Sequence, residues 1–263
     1  ADDYNPIIEY WHQIKNGEVI VSKKIYKTYK KIIKDLNDSA SEFHYSYDRG
    51  NHIIEFIENF CKHSKGKMGG QPVVLQLWQK AMLATIFGFI NSDGIRKYSF
   101  AQLIIGKKNG KSLISSCVGL YLMIADSEPG AEIYSVATKK DQARIIWLES
   151  KRMVKKSTFL REKINPLVGE LNSEYNDSVY MPLGSDSDKL DGLNVHGALF
   201  DEIHQWKNGQ SLYNIIADGV TAREQPLIFV TTTAGTVRED LYDMKYEECE
   251  MLINGYESDT DDT

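Results

Sequence analysis

Lys111 and Ser112 stand directly behind a turn with two glycines, and a lysine and a hydroxyl so placed can hold a triphosphate. The segment is Phe100 to Ala125, FAQLIIGKKNGKSLISSCVGLYLMIA. The apolar run Ala101 to Ile105 reads as a strand. Gly106, Lys107, Lys108, Asn109 and Gly110 make the turn, and an apolar segment long enough for a helix follows. The glycines let successive backbone N–H groups point at phosphate oxygens, and the helix adds its positive N-terminal end. Lys111 is expected to reach the β- and γ-phosphates, and the Ser112 hydroxyl to hold Mg²⁺. The spacing departs by one residue from G-x-x-x-x-G-K-[ST]: the first glycine would fall at Ile105, and Gly106 comes one later. A basic surface turn ahead of a core helix would give the same string.

A second chemical signal lies downstream. Val195 to Glu202, VHGALFDE, is an apolar run ending in two acids. A buried strand that delivers carboxylates at its tip is the Walker B arrangement. Asp201 is expected to hold Mg²⁺ through water, and Glu202 to orient and deprotonate the attacking water. Alone, a strand ending in Asp-Glu is common; after a G-K-S loop and a further strand–helix unit it is specific. Pro226 to Gly235, PLIFVTTTAG, reads as another buried strand, with Thr231, Thr232 and Thr233 at its tip. Hydroxyls there can sense a γ-phosphate, although a β-branched strand end with a turn looks alike. Gln79 precedes a helix-like apolar segment, and its amide could both donate to and accept from an adenine edge. By pattern alone it is an exposed residue of an ordinary amphipathic helix.

The elements that must position these groups follow a parallel α/β order. Ala131 to Ala137 alternates and reads as a strand, with Thr138 as cap for a helix from Lys139 to Lys155. Leu160 to Asp177 reads as irregular, Ser178 to Pro182 as a short strand, and Ser185 to Asp191 as a polar loop. Residues 236–257 return to helix before an acidic, disordered end. Residues 1–65 form a Lys- and Tyr-rich helical appendage, bounded by the glycine loop Ser64 to Gln71. Its lysine run from Lys23 to Lys34 reads as a solvated helix face, with DNA contact as the alternative.

Composition sets the bounds. The chain has 263 residues, 42% of them hydrophobic, which is enough for a core. A net charge of −6 means that nucleic-acid contact must come from a local basic patch. The three cysteines lie far apart in sequence, which argues against a metal site or disulfide framework and for a reducing compartment. The N-terminus carries no signal-peptide pattern, and Leu113 to Ala125 is too short to span a bilayer.

The order of motifs resembles the ATPase domain of the large terminase subunit of tailed double-stranded DNA bacteriophages, in the branch with HK97-like packaging systems. The segments that carry the resemblance are LQLWQKAMLATIFGF, KKNGKS, ATKKDQARIIW, LDGLNVHGALFDEIHQW and TAREQPLIFVTTTAG, within residues 72–250. It implies a P-loop NTPase of the ASCE, RecA-like kind: a mostly parallel sheet flanked by helices, with an N-terminal helical extension. It divides the chain into an appendage (1–65), an ATPase domain (66–250) and an acidic linker (251–263). It implies ATP and Mg²⁺ as cofactors, with hydrolysis driving double-stranded DNA into a procapsid through the portal. The small terminase subunit is a further implied partner. The protein is expected to be a monomer in isolation and a homo-oligomeric ring when assembled, in the host cytoplasm and away from membranes.

The family's adenine-side glutamine falls on Gln79, its phosphate-loop pair on Lys111 and Ser112, and its Walker B pair on Asp201 and Glu202. Its coupling motif falls on Thr231 to Gly235. Where many relatives carry an arginine early in the loop, this chain has Lys107, which lacks a bidentate fork. The missing arginine is expected at Arg223, acting on a neighbouring subunit, with Arg152 and Arg238 as alternatives; a salt bridge holding the loop before the strand is the competing reading of Arg223. Large terminases continue into an RNase H-like nuclease, and the residues after Gly235 lack such an acid cluster, so this chain is expected to be a fragment that does not cut DNA. DNA contact is expected through backbone phosphates, with Lys139, Lys140 and Arg144 as candidates beside the reading of a solvated helix end. Two other functions compete. Asp201-Glu202-Ile203-His204 mimics the DExH box of helicases, which need a second RecA-like domain; a nucleotide-binding adaptor would lack the base that Glu202 supplies.

Overall fold

The computed structural model describes residues 4–187, 190, 192–235 and 240–258, the last three by their backbone alone. The chain forms two compact units. The first comprises residues 1–55, 75–98 and 244–263; the second comprises 56–74 and 99–243.

In the first unit, α1 (Pro6–Lys15) starts where a capping signal places it. The Asn5 side-chain oxygen accepts from the Ile7 N–H at 3.0 Å, and Pro6 takes the first helical position. α1 packs on α4 (Leu77–Gly88), burying Ile7, Tyr10 and Ile14. α2 (Lys23–Leu36) is capped by Ser22 and buries Tyr29 and Ile32. Its lysine run is partly spent on ion pairs within this unit: Lys24 meets Glu250 at 2.7 Å, and Lys31 meets Asp35. β1 (His44–Tyr45) pairs antiparallel with β2 (Phe89–Ile90). α3 (Tyr47–Phe60) up to Glu55, and α9 (Leu241–Ser258) from Met244, complete the unit.

The second unit is built on a seven-stranded sheet. Its strands are β3 (Phe100–Ile104), β4 (Glu132–Ala137), β5 (Asn165–Pro166), β6 (Leu171–Ser173), β7 (Ser178–Gly184), β8 (Val195–Asp201) and β9 (Leu227–Thr232), in the order β3-β9-β8-β4-β7-β6-β5. The first five in that order are mutually parallel, while β6 and β5 add antiparallel to the edge. β9 is buried throughout and β8 in all but its last residue, as strands covered on both faces must be. Leu199 and Phe200, neighbours on β8, face opposite layers. Leu199 meets α5 (Lys111–Ile124), where only Gly119 leaves room: a Cβ there would lie 2.6 Å from Leu199 Cδ1. Phe200 meets Tyr213 of α8 (Gly209–Gly219), ring centroids 5.8 Å apart. α6 (Lys140–Lys156) lies beside α5 and is tied to β7 by the Trp147 indole N–H, which donates to the Tyr180 carbonyl at 3.0 Å.

Three expectations change. Thr138 does not cap α6; the helix starts at Lys140, whose N–H donates to the Asp186 carboxylate at 3.0 Å. The cap thus arrives from the loop after β7, a partner that no local pattern reveals. The stretch read as irregular contains α7 (Thr158–Lys163), β5 and β6, elements too short to show a period. Ser178 to Pro182 is the start of a longer interior strand, paired on both sides. The expected acidic end lies outside the described residues from 259 onward.

Candidate active site

The strand order brings the two motifs together. β9 lies between β3 and β8, so Leu103, Thr231 and Asp201 form one cross-strand row at the C-terminal ends of three adjacent parallel strands. The phosphate loop leaves β3 at this end and enters α5. Gly110, at φ +76°, takes the left-handed turn before the helix. Lys108 is also left-handed, at φ +65°. The Asn109 amide closes the loop by donating to the carbonyls of Gly106 at 3.1 Å and Lys107 at 3.3 Å. Gly106 to Gly110 are all exposed, while Lys111 turns inward and is 7% exposed.

Lys111 does not wait in solvent. Its Nζ lies 2.5 Å from Glu202 Oε1. The other carboxylate oxygen, Oε2, accepts from the Thr233 hydroxyl at 3.2 Å and lies 3.0 Å from His204 Nδ1. Glu202 adopts φ +53°, ψ +41°. A left-handed conformation costs a non-glycine residue about 1 kcal/mol or more and persists where surrounding contacts enforce it. Here it turns the Glu202 side chain off the strand direction toward the loop lysine. His204 sits in a single 3-10 turn, Ile203–Gln205, against the tip of β9. Its Nδ1 lies 2.9 Å from the Thr232 hydroxyl, and its ring is also within 3.3 Å of the Thr233 hydroxyl. Burial lowers the His204 pKa against the pull of Glu202, and the charges of Lys111 and Lys107 lower it further.

Asp201 is different. Thr231 donates to its Oδ1 at 3.1 Å, and Thr231 is itself 3.2 Å from the Ser115 hydroxyl. No described cation forms an ion pair with it, because Lys111 is taken by Glu202. Burial first, and then the Glu202 charge, push its pKa up to about 6, against the hydrogen bond from Thr231 and the Lys111 charge. A half-buried carboxylate short of positive charge is a fitting donor for a hard divalent cation. Ser112, half-buried in the first turn of α5, is the hydroxyl on the same loop.

Lys111, Asp201, Glu202, Thr231 and Thr233 therefore converge, with Thr232 joined through His204. Gln79 belongs to the first unit and is buried rather than exposed. Its Oε1 accepts the Gln76 N–H at 2.8 Å in the start of α4, which leaves its amide NH₂ to donate. Arg223 lies at the opposite end of the sheet, before β9 begins. Its guanidinium donates to Glu128 Oε1 at 2.8 Å, the Gly130 carbonyl at 2.7 Å and the Asn194 carbonyl at 3.1 Å. These bonds clamp the loops that enter β4 and β8, in keeping with the structural reading of that arginine. Arg152 is exposed in the last turns of α6, and Arg238 lies outside the described residues. The sequence reading missed Ser115 and Trp206, whose indole N–H holds the Asp201 carbonyl at 3.1 Å. It treated His204 only as part of a box, although its spacing of two from Glu202 was visible.

Residues 77–251 match the family model of the terminase large subunit, ATPase domain. The chain is similar to the terminase large subunit of Enterobacteria phage HK97, 29% identical over 197 residues that make up 73% of this chain and 38% of that protein. It is also similar to the crystal structure of the HK97 bacteriophage large terminase: TM-score 0.66, 26% identity, 78% of this chain and 42% of that one. The chain thus spans less than half the length of these relatives. With a family match over most of its length and a strand order that unites the two motifs, this chain belongs to the family of terminase large subunits, through their ATPase domain.

Proposed function

We propose that this chain binds and hydrolyses ATP and that hydrolysis moves double-stranded DNA into a phage procapsid. The observation that carries the reading is the convergence of Lys111, Asp201 and Glu202 at the tips of adjacent parallel strands. At rest Lys111 neutralises Glu202. An incoming triphosphate offers more negative charge, so Lys111 transfers to the β- and γ-phosphates while loop N–H groups take the remaining oxygens. Glu202 is thereby released to accept a proton from the attacking water. Thr233 and His204 keep hold of Oε2, so the freed Oε1 is the oxygen presented to that water. Ser112 and Asp201 would hold Mg²⁺, which when bound neutralises phosphate charge. Thr231 keeps the Asp201 carboxylate oriented, and Thr232 and Thr233 link the site to β9.

The supporting partners are double-stranded DNA, the portal and the small terminase subunit, in a homo-oligomeric ring in the host cytoplasm. These come from the family to which the chain belongs, as does an adenine-reading role for the Gln79 amide. The test is ATP turnover by this chain with and without duplex DNA, beside a strand-displacement assay. Turnover without displacement is expected. Displacement would favour the helicase reading, and nucleotide binding without turnover in any assembly would favour an adaptor.

A further inference from the structure

The flank of the second unit formed by α6 and α7 carries a concentration of positive charge that the active site does not use. Between Arg144 and Lys163 stand seven of the chain's 31 lysines and arginines, against two glutamates, in a protein of net charge −6. One of those glutamates, Glu149, is buried and receives the Ser64 hydroxyl at 2.5 Å. None of the seven cations forms an ion pair with a described residue. This contrasts with α2, where lysines of a similar run meet Glu250 and Asp35.

The charges are also arranged. Arg144, Lys151 and Lys155 sit at i, i+7 and i+11, one stripe along the helix beside the buried Trp147. The stripe spans about 16 Å at 1.5 Å per residue, the reach of several consecutive phosphates along one strand of a duplex. Two of its members are held in place. The Arg144 guanidinium lies 5.4 Å and the Lys151 ammonium 4.9 Å from the centre of the buried Trp147 ring, and Lys151 also donates to the Leu167 carbonyl. Cations fixed on an aromatic platform lose little further side-chain freedom when an anion arrives. Their proximity has a cost in the free protein: burial lowers the Lys151 pKa, and the charges of Lys155 and Arg144 lower it further. Repulsive charge with no ion-pair partner among the described residues points to an external polyanion.

We infer that the stripe Arg144–Lys151–Lys155 on α6 is a contact surface for the phosphate backbone of duplex DNA, read without regard to base sequence. The inference rests on the packaging reading for its choice of polyanion. It extends the candidates named from sequence toward the C-terminal half of α6, away from the nucleotide.

The test measures duplex affinity of this chain by fluorescence anisotropy across a salt series, on two unrelated sequences. Each neutralised phosphate contact contributes about 0.9 to the slope of log K against log salt. Changing Arg144, Lys151 and Lys155 together to Ala should therefore make the slope shallower by about 2.7, equally for both sequences. A comparison variant with Lys15, Lys23 and Lys30 changed to Ala loses the same charge elsewhere and should keep the slope. If the triple variant melts early, Lys151→Gln with Lys155→Gln replaces it, with an expected change of about 1.8. An unchanged slope in the stripe variants overturns the inference, and so does an equal loss in the comparison variant. Polyglutamate competing as well as duplex would also overturn it, in favour of an acidic protein partner. ATP turnover of the unaltered chain, measured in parallel, keeps the two readings apart: turnover with no role for the stripe sinks only the surface, and absence of both turnover and duplex binding sinks both.

Discussion

Replacing Asp201 by Asn should stabilise the nucleotide-free protein while abolishing the proposed Mg²⁺-dependent ATP turnover. Asp201 is held near the Glu202 charge with one hydroxyl donor, and its pKa rises from 3.8 to about 6. That rise corresponds to about 3 kcal/mol separating the charged from the neutral form, an upper figure for a side chain that keeps some exposure. The folded-state value lies above that of the unfolded chain, so the native state binds the extra proton. The stabilisation this brings is fully present below pH 3.8 and is lost as pH rises through about 6. At pH 7.5 the wild type carries the whole deficit of a buried charge, and Asp201→Asn removes it while keeping an oxygen to accept from Thr231. Urea unfolding should find the variant more stable by about 2 to 3 kcal/mol at pH 7.5, with the gain shrinking toward zero near pH 4. Part of the deficit comes from Glu202, so the gain should be smaller in a Glu202→Gln background. Mg²⁺ with a non-hydrolysable ATP analogue should stabilise the wild type and do less for the variant. A variant less stable at pH 7.5, or a gain independent of pH, would refute the account of Asp201 as an uncompensated carboxylate.

Lys111→Ala should remove ATP binding or turnover, and it also leaves Glu202 without its cation; isothermal titration with the analogue and a phosphate-release assay check both. Glu202→Gln should bind ATP at least as well as the wild type, since Lys111 no longer has to leave a carboxylate, yet turnover should stop; normal turnover would show that another group is the base. Arg223→Ala strands Glu128 and the carbonyls of Gly130 and Asn194, and should cost about 2 to 4 kcal/mol in urea unfolding. Mixed with Glu202→Gln subunits it should recover no ATPase; recovery would instead establish it as a trans-acting arginine. Gly235→Ala would set a Cβ 2.3 Å from His204 Cβ. It should therefore lower kcat more than it weakens nucleotide binding, because His204 holds Glu202 and the threonines; a loss confined to binding would contradict that link.

Residue types and spacing were enough to point to an ATPase domain. The turn from Gly106 to Ser112, the Asp201–Glu202 pair and the threonines at 231–233 each combine a local backbone requirement with a chemical group, and local requirements are written in contiguous residues. The parallel α/β class was legible for the same reason, since β8 and β9 are buried runs that need both faces covered. Partners distant in the chain were not legible. That β9 lies between β3 and β8 is decided by strand pairing across the sheet, and it is this order that sets Thr231 beside Asp201. The cap of α6 by Asp186, and the spending of the Gln79 carbonyl on its own helix start, depend on where loops and turns settle. Arg223 shows the limit most clearly. An arginine just before a buried strand is the same word in the sequence whether it faces a phosphate or a cluster of carbonyls; the sheet places it at the end away from Lys111 and Glu202, where Glu128 and the carbonyls of Gly130 and Asn194 take it. The Lys111–Glu202 pair is likewise a tertiary fact: two groups each recognisable alone, whose opposite charges meet only because parallel strands end on one edge.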